Sequence, residues 1–109
     1  MSYAVSREKG WAVVGLSGEI DMHRSPEARA VILGCLDDGQ PTLVDLSAVD
    51  YIDSSGVASL VEGLQHARER GLQFALVGVS ATALNVLKLA RLDQVFTLYR
   101  SLAEIPQAA

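Results

Sequence analysis

The 109-residue sequence is poor in the residues that carry metal, redox and covalent chemistry. It holds a single cysteine, Cys35, and two histidines, His23 and His66. One cysteine excludes an internal disulfide and supplies no thiolate pair for a metal. Within "AVILGCL" it reads as small apolar filler on a helix. No apolar run reaches the length of a membrane span, and "MSYAVSREKG" has no signal-peptide pattern. The expectation is a cytoplasmic protein with no membrane span. Basic charge is scarce too: nine Lys and Arg stand against thirteen Asp and Glu, for a net charge of -4. A nucleic-acid binder needs a basic face to neutralise phosphates, so nucleic acid is not an expected partner. What remains is an ordinary folding composition, 50% hydrophobic and 20% charged, which suits one domain over residues 1–109 with one core.

The hydrophobic spacing predicts α/β architecture. Tyr3 to Arg7 and Trp11 to Ser17 are short strand-like runs joined at Lys9-Gly10, the pattern of a β-hairpin. "GEIDMHRSP" follows as a loop. Ser25 then reads as an N-cap with Pro26 at the first helical position, and Gly39 as the C-terminal stop. Thr42 to Leu46 reads as a buried strand, followed by a connection that carries Asp50, Asp53, Ser54 and Ser55. On the next helix Val57, Leu60, Val61, Leu64 and Ala67 share a face, and Ser59 is expected off it. "LQFALVGV" has the unbroken apolar run of a strand buried on both sides. Ser80 is a candidate cap for a third helix, and "DQVFTLY" supplies a last strand. The order is β-β-α-β-α-β-α-β, a mixed, mostly parallel sheet covered by helices. Working residues in such sheets collect at the carboxyl ends of strands. This predicts an acidic rim of Glu19, Asp21, Asp50 and Asp53 around two hydroxyls.

Chemistry narrows what those hydroxyls do. A serine nucleophile needs a base and an oxyanion hole, and the G-x-S-x-G pattern is missing around Ser54 and Ser55. His23 reads as a solvated loop residue, and His66 lies near the far end of the helix that Ser55 begins. No catalytic residue and no enzymatic activity are expected. Neither a Walker-type run nor GxGxxG occurs, and the loop acids lack the spacing of a metal site, so no cofactor or metal is expected. Two readings stay open for "YIDSSGV": a helix cap, or a hydroxyl left free for modification. A phosphate there would add about -1.5 to -2 charges at a helix start that tolerates an anion.

"LSGEID", "LVDLSAVDYIDSSGV", "LVGVS" and "LARLDQVFTLY", in that order from Val13 to Leu102, resemble the STAS domain family, and within it the bacterial anti-sigma factor antagonists. The resemblance implies a partner switch. The unphosphorylated protein binds an anti-sigma factor with serine kinase activity and so releases the sigma factor. Phosphorylation ends the complex, and a serine phosphatase reverses it. By motif position the phosphoacceptor is Ser55, with Asp53, Ser54 and Gly56 as its surroundings and Gly56 giving the modifying enzyme room. Glu19, Asp21, His23, Ser55 and Val57 are the implied docking residues, with Ile20 between the first two. The family also includes small subunits of lipid-transport ABC machines, which implies an alternative partner, an ATPase subunit.

Overall fold

A computed structural model describes residues 3–109 and begins with the hairpin: β1 (Ala4–Glu8) pairs antiparallel with β2 (Trp11–Ile20). Lys9 and Gly10 both take positive φ, 49° and 86°, as a type I′ turn requires. The chain continues through α1 (Ser25–Asp37), β3 (Thr42–Ile52), α2 (Ser54–Glu69), β4 (Phe74–Val77), α3 (Ala81–Leu89) and β5 (Thr97–Tyr99), and a 3-10 turn spans Leu102–Glu104. The expected element order is therefore observed. The sheet order is β1-β2-β3-β4-β5, with β2 through β5 mutually parallel. Ser80 caps α3 by accepting the Ala83 N–H at 3.2 Å.

Strands that advance one step at a time by right-handed crossovers bring all their helices to one side. Accordingly α1, α2 and α3 pack a single core against Ala12, Val14, Leu16 and Ile20 of β2 and Val44, Leu46, Val49 and Ile52 of β3. Cys35 lies in this core, and burial pushes its thiol pKa up, away from the reactive thiolate. The opposite face holds Trp11, Val13, Leu43, Ala75 and Val77, covered by Ile105 and the residues around it. Four bonds fasten this tail, one of them from the Ala109 N–H to Gln73 Oε1 at 2.8 Å. Trp11 Nε1–H donates to the Pro106 carbonyl at 2.9 Å, Lys9 Nζ to the Ile105 carbonyl at 2.8 Å, and Ala108 N–H to the Lys9 carbonyl at 2.8 Å. Burial of β4 on both faces thus uses helices on one side and the chain's own end on the other.

Four local expectations are corrected. β2 runs on to Ile20 and β3 to Ile52, so Glu19 and Asp50 lie on strands rather than in loops. Register shifts between Gly15 and Ser17 and between Gly18 and Glu19 interrupt the strict alternation that marks a strand in sequence, while Ile20 and Ile52 still reach the core. Ser25 is not an N-cap. It is the first residue of α1, buried, with Arg24 at the cap position and no side-chain cap bond. Ser59 is buried rather than outward, and its hydroxyl donates toward the Ser25 carbonyl at 3.3 Å and the Ser55 carbonyl at 3.2 Å.

Candidate functional site

The site forms where β2 and β3 end together. Ile20 and Ile52 are register partners, 0% and 2% exposed, and each contributes about 1.5–3 kcal/mol by its burial. With both side chains held inward, the residues that follow them, Asp21 and Asp53, emerge at the same end of the sheet. The Asp53 N–H donates to the Ile20 carbonyl at 3.3 Å, which ties the entrance of α2 to the end of β2.

Asp53 is the N-cap of α2, in extended backbone with φ -105° and ψ -171°. Its Oδ1 accepts three hydrogen bonds: from Ser55 N–H at 2.9 Å, Gly56 N–H at 3.1 Å and the Ser55 hydroxyl at 2.5 Å. The first two satisfy amides that a helix start leaves without partners. The Ser55 hydroxyl bond is the main influence holding the Asp53 carboxyl below its ordinary pKa; desolvation opposes it, and the Gly56 and Ser55 amides add to it. Ser55 is half-buried, with its hydroxyl directed at a carboxylate, whereas Ser54 is exposed and lies outside the cap bonds.

Gly56 has a role the sequence did not reveal. A Cβ there would stand 2.6 Å from Ile52 Cγ1 and 2.7 Å from the Ile20 carbonyl oxygen. The absent side chain admits the helix against the two strand ends. Gly56 is itself buried, so the room it gives is for packing rather than for an approaching enzyme. Ser59 and Gly63 continue the theme along α2, against Ser25 and against Ile32 and Phe74. The spacing Gly56-Ser59-Gly63-Ala67, one row of small residues at helical intervals, is the signal from which that contact was readable.

The implied docking residues separate into two groups. Glu19 and His23 are exposed, and Asp21 is half-buried. The Asp21 carboxylate accepts from His23 N–H and Arg24 N–H, both at 3.0 Å, so it also shapes the turn into α1. Ile20 and Val57 are core residues and are withdrawn as surface contacts: Val57 is 6% exposed, on the helix face turned to the sheet. Two apolar side chains at this end escaped sequence reasoning. Met22, next to Asp21, is 74% exposed, and Tyr51, register partner of Glu19, is 49% exposed. A methionine in an otherwise polar loop was the available clue. Among the described residues no cluster of His, Cys, Asp and Glu could hold a metal ion, and no helix is long and apolar enough to cross a membrane.

Known proteins share this fold. The family model of the STAS domain matches residues 3–105. An anti-sigma factor antagonist from Mycobacterium paratuberculosis is 30% identical, with a TM-score of 0.82 over 94% of this chain and 88% of its own. The Bacillus cell fate determinant SpoIIAA, in its phosphorylated form, is similar in fold at 20% identity and a TM-score of 0.69, over 89% of this chain and 90% of its own. A sulfate transporter family protein from Wolinella succinogenes shares the fold at 18% identity and a TM-score of 0.70, over 84% and 77%. With a family match across nearly its whole length and that family's five-stranded sheet beneath three helices, the chain belongs to the STAS domain family.

Proposed function

We propose that this chain is an anti-sigma factor antagonist working as a partner switch with Ser55 as its phosphoacceptor. Unmodified, it binds an anti-sigma factor that is also a serine kinase, and the sigma factor is set free. Phosphorylated on Ser55, it releases the kinase, and a serine phosphatase restores it. The observation that carries this reading is the Ser55 hydroxyl held 2.5 Å from Asp53 at the open end of the sheet. A hydroxyl held beside a carboxylate is better prepared for phosphoryl transfer than one exposed outside the cap bonds, as at Ser54. The 30% identity with an antagonist supports the class of partner, and the phosphorylated Bacillus relative supports the modification. Met22 and Tyr51 add apolar contact to the acidic rim of Glu19, Asp21 and Asp53, as a protein partner requires.

Pull-down from native lysate identifies the partner, and incubation with that kinase and ATP, followed by mass spectrometry, locates the phosphate. The expected site is Ser55; modification confined to Ser54 overturns the assignment. Ser55→Asp is expected to weaken binding ~10-fold or more, since like charge at a docked rim is repulsive, with the melting temperature nearly unchanged. Capture of a transport ATPase in place of a kinase would favour the transport-subunit reading.

A further inference from the structure

The three helices end in the same backbone pattern but not in the same residue. At α1, Gly39 N–H and Gln40 N–H donate back to the Leu36 and Cys35 carbonyls. At α2, Gly71 N–H and Leu72 N–H donate to the Arg68 and Ala67 carbonyls. At α3 the matching bonds run from Arg91 N–H to the Lys88 carbonyl at 2.9 Å and from Leu92 N–H to the Leu87 carbonyl at 2.8 Å. This closure needs one left-handed residue, and glycine adopts that conformation without steric cost. Gly39 and Gly71 have φ of 76° and 68°, and Arg91 takes the same position with φ 60°. An arginine kept there against its backbone preference points to a use for its charge. Attraction to the helix carboxyl end offsets part of the strain but does not account for the side chains around it. Leu89 is 87% exposed, more than any other large hydrophobic among the described residues, and Val95 is 41% exposed. Neither belongs to the packed clusters on the two faces of the sheet.

Next in exposure is Met22, and it stands at the other end of the molecule. α3 returns between the parallel strands β4 and β5, so its carboxyl end lies where those strands begin, whereas Met22 follows the end of β2. The two ends are chemical complements. Leu89 and Val95 are accompanied by Lys88 and Arg91; Met22 and Tyr51 are accompanied by Glu19 and Asp21. The minority charges, Asp93 at one end and Arg24 at the other, are also opposite in sign. We propose that the α3 carboxyl end of one copy docks on the β2–β3 rim of a second copy. Leu89 and Val95 meet Met22 and Tyr51, while Lys88 and Arg91 face Glu19 and Asp21. The contact is head-to-tail, so it links copies into open chains. It is small and therefore weak, with a dissociation constant on the order of 0.1–1 mM. It covers the rim proposed above for the protein partner, so association and partner binding exclude one another. The contact requires no modified serine and no kinase.

Sedimentation velocity tests it on the full chain from about 20 µM to about 1 mM, in about 0.02 M salt and again in about 0.5 M salt, which screens the charges. Average mass should rise with concentration in the dilute salt, and the concentrated salt should remove about half of the rise or more. Leu89→Ser and Met22→Ser each spoil one face and should hold the chain at the monomer mass. An equal mixture of the two variants retains one intact face of each kind, so it should form pairs and nothing larger. Arg91→Gly should weaken association ~3-fold or more and raise the melting temperature by about 3 °C, because glycine relieves the left-handed strain. A monomer at every concentration, association indifferent to both serine substitutions, a mixture that does not pair, or a lower melting temperature for Arg91→Gly overturns the proposal. Binding of the monomer to phosphatidylserine vesicles that Leu89→Ser abolishes also overturns it, and assigns the α3 end to an anionic lipid surface. Failure to capture a kinase would defeat the functional reading and leave these outcomes untouched.

Discussion

Two helices of this chain start just beyond neighbouring parallel strands, and both entrances carry an aspartate and then a serine, yet they are built differently. At α1 the Asp21 carboxylate clamps the turn ahead of the helix through His23 N–H and Arg24 N–H, and Ser25 is buried. At α2 the Asp53 carboxylate caps the helix itself, and the Ser55 hydroxyl rests on it, half exposed. The difference is one of spacing. Met22, His23 and Arg24 separate acid from serine at α1, whereas at α2 Ser54 follows Asp53 directly. An acid at a strand end becomes a turn clamp or a helix cap according to how many residues precede the helix. Only the second arrangement leaves serine side chains open to solvent at the helix start.

The contrast is tested hardest at the third helical position of each entrance, where α2 has Gly56 and α1 has Glu27. Gly56→Ala is expected to destabilise by about 3 kcal/mol, the upper end for overpacking, because one of the colliding atoms is backbone. Glu27→Ala is expected to lose less than about 1 kcal/mol, the scale of a first-turn acid on the helix dipole. Urea denaturation measures both. A mild Gly56→Ala would mean that α2 does not depend on close contact with the strand ends.

The two aspartates come next. Asp53→Ala removes a true cap and is expected to cost about 1–2 kcal/mol, while Asp21→Ala removes only turn bonds and should cost about 0.5–1 kcal/mol. Equal losses in the same denaturation series would erase the distinction between clamp and cap.

The smallest effect is in acid. The Ser55 hydroxyl, above all, holds the Asp53 carboxyl below its ordinary range, so the unfolded chain takes up the proton first as pH falls. The stabilisation is full above the ordinary carboxylate pKa near ~4 and is lost as pH drops through the lower folded value. Asp37 behaves with the same sign, lowered chiefly by its bond to His66. Asp53→Asn should therefore flatten part of the acid limb of stability below about pH 4 and leave Asp37's share. A limb as steep as the parent's would mean that the cap does not contribute to it.

How far sequence reasoning reached follows from the range of the interactions involved. The hairpin turn at Lys9-Gly10, the stop at Gly39 and the Ser80 cap were legible because each depends on residues a few positions away. The Asp53-Ser54-Ser55 stretch was legible as a cap or a switch for the same reason. The ends of β2 and β3 were not, because register shifts let polar residues stand on a strand without breaking its core face. Ser25 misled because its local chemistry suits a cap, while its burial depends on packing against α2, where Ser59 bonds across 34 positions.

The sequence by itself determined the order of elements and the pairing of an acid with two serines at one helix start. It did so because hydrophobic period and cap chemistry are short-range properties. Tertiary structure alone decided the rest. It put every helix on one face and the chain's own end on the other, with Trp11 bonded across 95 positions to Pro106. It withdrew Val57 into the core, gave Gly56 to the contact with Ile20, and set the Ser55 hydroxyl on Asp53. Those outcomes turn on which surfaces meet, and that is known only once distant segments have been brought together.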